Sequence, residues 1–120
     1  MDASRWTGKQ IFLYRHPVDK RKSIDALNAL IATEMRRDAF SDGCLYIFLN
    51  RQRDKVKLLI WDRNGFWLLY KRVERQRFTL PNWFDTETLA LSEQQLEQLI
   101  DGYNLNAMQP HKVLAFERNF

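Results

Sequence analysis

The sequence has a single cysteine, Cys44, which excludes an internal disulfide and any cysteine-based zinc site. Its two histidines, His16 and His111, have no partner at the spacing of a metal or catalytic motif. With four glycines in all, there is no glycine-rich loop to cradle a nucleotide phosphate. Apolar runs reach about five residues, far short of the roughly 20 that cross a bilayer. Residues Met1 to Lys9 lack the apolar stretch of a secretory signal. These absences lead to the expectation of a cytoplasmic protein with no membrane contact. The carboxylates Asp25, Asp38, Asp54, Asp62 and Asp85 are scattered, and Asp38, Asp54 and Asp62 fall where turn chemistry explains them. No catalytic residue, metal or cofactor is expected.

What is present is a chain of 120 residues, 45% apolar and 28% charged, rich in Phe, Tyr and Trp. That length and composition predict one globular domain over residues 1–120. The net charge of +4 is unevenly spread. Residues 51–77 carry nine basic side chains (Arg51, Arg53, Lys55, Lys57, Arg63, Lys71, Arg72, Arg75, Arg77) against three acidic ones. Residues 78–110 carry no basic side chain and five acidic ones, Asp85, Glu87, Glu93, Glu97 and Asp101. A strongly basic block points to a polyanionic partner.

The apolar pattern predicts a first strand at Ile11–Tyr14, ended by His16-Pro17. Ser23 reads as a helix N-cap, and Ile24, Leu27, Leu30, Ile31 and Met35 form a stripe that carries a long helix to about Arg37. Strands follow at Leu45–Asn50, Lys55–Asp62 and Phe66–Val73, with Phe78–Leu80 as a short edge strand. Arg51 to Asp54 reads as a hairpin loop, and Asn64-Gly65 as the centre of a two-residue turn. Ser92 and Gln95 have the spacing of a capping box for a second helix, with Leu96, Leu99, Ile100 and Tyr103 on its apolar face and Gly102 near its end.

These turns set a register in which Trp61 pairs with Leu68, Lys57 with Arg72, and Phe48 with Lys57. One face then carries Leu45, Ile47, Leu49, Val56, Leu58, Ile60, Trp67, Leu69 and Val73, and is expected to pack under the first helix. The other carries Tyr46, Phe48, Leu59, Trp61, Phe66, Leu68 and Tyr70, with Lys55, Lys57 and Arg72 at one end. An aromatic face with a cationic rim suits single-stranded nucleic acid, whose bases stack on rings while cations follow the phosphates. The competing reading is that the second helix, or another copy of the chain, covers those rings.

Several blocks resemble one family. Asp19-Lys20-Arg21-Lys22-Ser23-Ile24-Asp25-Ala26-Leu27 is similar to the "MRKGIDGL" element of the TnpB accessory proteins of the insertion sequence 66 family. Asp38-Ala39-Phe40-Ser41 resembles the same family's "DPFSG" turn, and Asn50 through Pro81 resembles its longest signature. Within that run Trp61-Asp62-Arg63-Asn64-Gly65-Phe66 and Tyr70 through Phe78 are the most diagnostic. Gln95-Leu96 through Gly102 corresponds to its closing "QLxxLLEG" helix. The blocks occur in the family's order over residues 9–104. Ser23 stands where the family has Gly, and Asp42 is inserted between Ser41 and Gly43. The tail of residues 105–120 adds nothing recognisable from Asn106 onward. The resemblance implies an accessory factor encoded beside a larger transposase in bacterial insertion elements, distinct from the RNA-guided nucleases that share the TnpB label.

The expected fold is α+β, an antiparallel sheet of four to five strands with a long helix on one face and a second helix near the C-terminus. The expected function is a non-enzymatic factor in DNA transposition that binds nucleic acid, with DNA the expected form. Arg51, Arg53, Arg63, Arg75 and Arg77 would contact phosphate, supported by Lys55, Lys57, Lys71 and Arg72 and extended by Arg21 and Lys22. Tyr46, Phe48, Trp61, Phe66 and Tyr70 would serve stacking or homodimer contact. The alternative is an adaptor that docks onto the partner transposase through the aromatic face or the acidic 78–110 region.

Overall fold

In a computed structural model that describes residues 6–108, five strands form one mixed sheet. In chain order the elements are β1 (Gln10–Tyr14), α1 (Ile24–Thr33), β2 (Cys44–Leu49), β3 (Lys55–Asp62), β4 (Gly65–Arg72), β5 (Thr88–Leu91) and α2 (Glu93–Ile100). A 3-10 turn at Leu105–Met108 follows. The sheet order is β4-β3-β2-β1-β5. Residues 109–120, including His111 and most of the expected tail, lie outside the described residues.

The sheet is not antiparallel throughout. β1 runs parallel to β2, with Ile11 opposite Leu45 and Leu13 opposite Ile47. The chain leaves β1, crosses one face of the sheet through α1 and re-enters beside β1 in the same direction, the connection that parallel neighbours require. The fifth strand is also not Phe78–Leu80. Those residues are irregular, and the edge place beside β1 is taken by β5, with Phe12 opposite Ala90.

Side-chain alternation sorts residues onto the expected faces, but the helices are exchanged between them. The face of Leu45, Ile47, Leu49, Val56, Leu58 and Ile60 packs with Leu96 and Leu99 of α2, and with Trp6, Phe78 and Leu105. The face of Tyr46, Phe48 and Leu59 packs with Leu27 and Ile31 of α1, and with Tyr14, Val18 and Met35. Both faces are apolar, so each must be covered, and hydrophobicity alone does not say by which helix. The eight-residue α2 is too short to cover its face unaided. Partly buried Leu80, Trp83 and Phe84 from the β4–β5 connection complete that layer.

The first helix is ten residues long rather than extending to Arg37. The chain leaves it through Arg36 at φ 56°, and the Arg37 N–H reaches back to the Ile31 carbonyl at 3.0 Å. Ser23 occupies the N-cap with extended backbone, although its hydroxyl makes no cap bond. At α2 the capping box is complete: Ser92 Oγ accepts from the Gln95 N–H at 3.0 Å, and Gln95 Oε1 accepts from the Ser92 N–H at 2.9 Å.

The β3–β4 hairpin turns one residue earlier than the Asn64-Gly65 signal indicates. Arg63 takes the left-handed conformation at φ 53°, the Asn64 N–H donates to the Asp62 carbonyl, and Asp62 pairs with Gly65. Moving a turn by one residue moves the register by two, so Trp61 faces Phe66 and Lys57 faces Tyr70. An even shift leaves every side chain on its expected face. The Phe48–Lys57 pair is as expected.

Candidate nucleic-acid interface

The strand directions bring four segments to one end of the sheet. β1, β2 and β4 finish there and β3 and β5 begin there, so residues 15–22, 50–54 and 73–77 emerge together with residues 85–87, whose acidic Glu87 meets His16 at the margin. Backbone bonds join them. Val18 N–H donates to Leu49 O at 2.9 Å, Val73 N–H to Asp54 O at 2.8 Å, and Phe78 N–H to Arg53 O at 2.7 Å.

Asn50 organises the middle loop and is the buried polar residue of the described core. Its Oδ1 accepts from the Lys55 N–H at 2.9 Å, and its Nδ2 donates to Asp54 Oδ1 at 2.6 Å. That bond, together with Lys55, holds the Asp54 carboxyl below its usual pKa. Arg53 completes the loop in the left-handed region at φ 59°, and its N–H donates to Asn50 O at 3.1 Å. The loop is thus fixed by a side chain that burial protects, while its arginines point outward.

Arg51, Arg53 and Arg75 are exposed and make no ion pair among the described residues. Arg77 donates to its neighbour's carbonyl, Gln76 O, at 3.1 Å, and Lys22 is also exposed. Other cations at this end are partly neutralised. Arg21 grips Asp19 with Nε–Oδ1 at 3.0 Å and Nη2–Oδ2 at 2.8 Å, holding that carboxyl far below the ordinary range. Lys55 sits 3.2 Å from Asp54, and Arg72 lies 2.8 Å from Glu74. Between the first two loops lies a cleft of about 530 Å³ that Lys20, Arg21, Asn50, Arg51 and Lys55 help to line.

Two lysines of the basic block are internal fasteners. Lys57 Nζ donates to the carbonyls of Lys20 and Lys22, both at 2.6 Å, and burial lowers its pKa. Lys71 Nζ donates to Ile100 O at 2.6 Å, meeting the carbonyl end of α2. Arg63 stands apart, on the turn at the opposite end of the sheet and 3.3 Å from Asp62.

The chain matches the IS66 Orf2 like protein family over residues 9–110. The chain belongs to the IS66 Orf2-like family. The family is associated with transposition in an accessory role. An uncharacterized protein, y4jC, from Sinorhizobium fredii is 27% identical over 95 residues, covering 79% of this chain and 80% of its own length. No solved structure matches.

In this IS66 Orf2-like chain, the segments Asp19–Leu27 and Asn50–Pro81 that carry the resemblance also supply most of the cationic loops. The aromatic residues are placed differently from the loops. Tyr46 and Phe48 are each 1% exposed beneath α1 and offer no ring face to solvent. Trp61 and Phe66 are half-buried at the far end, where they meet Phe40 edge-on with centroids 5.0 to 5.1 Å apart. Tyr70 alone of the five is largely exposed, with Lys57 Nζ 6.0 Å from its ring centre. Charge counting along the sequence missed Arg15 and Lys20, exposed on the first loop, because residues around them are nearly balanced in charge. It also missed Asn50, whose importance lies in its burial. Among the described residues no group of three or more His, Cys, Asp or Glu could hold a metal, and no helix is long and apolar enough to cross a membrane.

Proposed function

We propose that this protein is a non-enzymatic accessory factor in DNA transposition that binds nucleic acid through the cationic end of its sheet. The observation that carries this reading is the set of outward arginines on adjoining loops, Arg51, Arg53 and Arg75, with no carboxylate partner among the described residues. Guanidinium groups in that state are available for the forked hydrogen bonding that phosphate oxygens accept. Arg77, Lys22, Arg21 and Lys55 extend the track on either side. With Tyr46 and Phe48 covered, phosphate contact rather than base stacking is the main source of affinity, so binding is weakly selective for sequence.

The test is an electrophoretic shift with DNA at low salt, repeated over a salt series. Affinity should fall steeply as salt rises, and Arg75→Glu with Arg77→Glu should weaken binding to all sequences alike. Absence of any shift at micromolar protein and low salt would overturn the reading. A second reading, docking onto the partner transposase, is favoured by the Phe40–Trp61–Phe66 cluster at the other end, where Phe40 is 56% exposed. Capture of that transposase by wild type but not by Phe40→Ser is the outcome it requires.

A further inference from the structure

We propose that two copies of this chain join through the free edge of β4, making one continuous sheet across a twofold axis. The inference is independent of the nucleic-acid reading. β4 is the outer strand of the sheet, eight residues long, and pairs with β3 without a bulge from Asp62–Gly65 to Lys55–Arg72. It contains no proline. Edge strands that remain single are usually short, bulged, or guarded by proline or by a central charge. β5, the other edge, is four residues long and fits that pattern. β4 does not. Its lysine, Lys71, is drawn away to Ile100 O, and its Arg72 lies at the strand's end.

The hydrogen-bond phase of the hairpin says which backbone groups are free. Val73 N–H donates inward to Asp54 O just beyond the strand, and Asp62–Gly65 closes the turn. Odd-numbered residues of β4 therefore bond to β3, and the N–H and C=O of Phe66, Leu68, Tyr70 and Arg72 point away from the sheet. An antiparallel ladder between two such edges must oppose even residues to even residues. Centring it on Leu68 places Phe66 opposite Tyr70 of the second copy and Leu68 opposite its counterpart. Each such pair exchanges two backbone bonds. On the other face, Trp67 comes opposite Leu69. Among the described residues four large apolar side chains are exposed, and two are on this strand: Trp67 at 41% and Tyr70 at 53%. The register makes both cross-strand partners of apolar residues. It also brings the Arg72–Glu74 end of each copy beside the Asp62–Arg63 turn of the other, a cation and an acid on each side. The matching parity means that the two α1 layers lie on the same side of the joined sheet.

Sedimentation of the full chain over a concentration series should give twice the 14.5 kDa chain mass at high concentration. Amide exchange followed by NMR should show Phe66, Leu68 and Tyr70 protected in that dimer and released on dilution. Tyr70→Pro removes an outward N–H without costing a bond to β3, so it should give a folded monomer. If the proline variant does not fold, Trp67→Lys with Tyr70→Lys, both at exposed positions, provides the same comparison. The proposal is overturned by a wild-type chain that stays monomeric throughout, by a folded edge variant that still dimerises, or by a dimer whose Phe66, Leu68 and Tyr70 amides exchange freely.

Discussion

Lys57 and Arg51 lie in one basic block, six positions apart, yet their surroundings assign them different work. Lys57 bridges two backbone carbonyls of the 15–22 loop, and Lys71 meets the last turn of α2, whereas Arg51, Arg53 and Arg75 have no ion-pair partner among the described residues. Replacement of Lys57 by Met should therefore lower stability by about 1–2 kcal/mol, because two carbonyls lose their donor. Lys71→Met should cost about 0.5 kcal/mol through the helix end. Gln at Arg51, Arg53 or Arg75 should leave the urea midpoint unchanged and reduce the salt dependence of DNA binding by about one ion per arginine. Urea titration and the salt series together separate the two classes. Composition locates the block but cannot make this division. The partners of Lys57 and Lys71 are 35 or 37 and 29 positions away in sequence. Tyr46 and Phe48 illustrate the same limit: their face is readable from alternation, but the helix that covers it is not.

Features decided within a few residues are the ones the sequence makes visible. The Ser92 capping box is local, and it forms as its spacing predicts. Ser23 has the right position, but its hydroxyl has no cap bond, so the residue type alone overstates its contribution. Ser92→Ala should accordingly cost about 1 kcal/mol, while Ser23→Ala should be nearly neutral, as urea titration would show. The turn at Arg63-Asn64 was displaced by one residue from its Asn-Gly signal, yet period-two alternation kept both faces correct. Gly102 is a further case. It ends α2 at φ 89°, and a Cβ there would come 2.8 Å from Gln76 Oε1, on the loop that carries Arg75 and Arg77. Gly102→Ala should destabilise the protein by about 1 kcal/mol, the cost of a side chain at that positive φ, while the far end of the Gln76 side chain swings aside and the NMR signals of its side-chain amide shift.

At the scale of the whole molecule, the sheet is closed on both faces, and segments remote in sequence hold it shut. Trp6 Nε1 donates to Glu97 Oε2 at 2.9 Å, and Leu105 is buried beside α2 in the same core. Asn106 fixes the β4–β5 connection, accepting from the Asn82 N–H at 2.8 Å and donating to Leu80 O at 3.3 Å. The expected tail therefore begins inside the fold, which its composition did not reveal. A chain ending at Asn104 should unfold at distinctly lower urea than one ending at Met108, by about the 2–5 kcal/mol of a lost buried leucine. The place of β1 has a consequence for synthesis. β2, β3 and β4 meet through short hairpins and can pair as soon as they leave the ribosome, but β1 is flanked by β5, and Ile11 must wait for Leu91. Until that late segment emerges, the nascent chain carries β1 with an open side, so the order of translation sets a window in which its first strand is available to chaperones or to wrong partners.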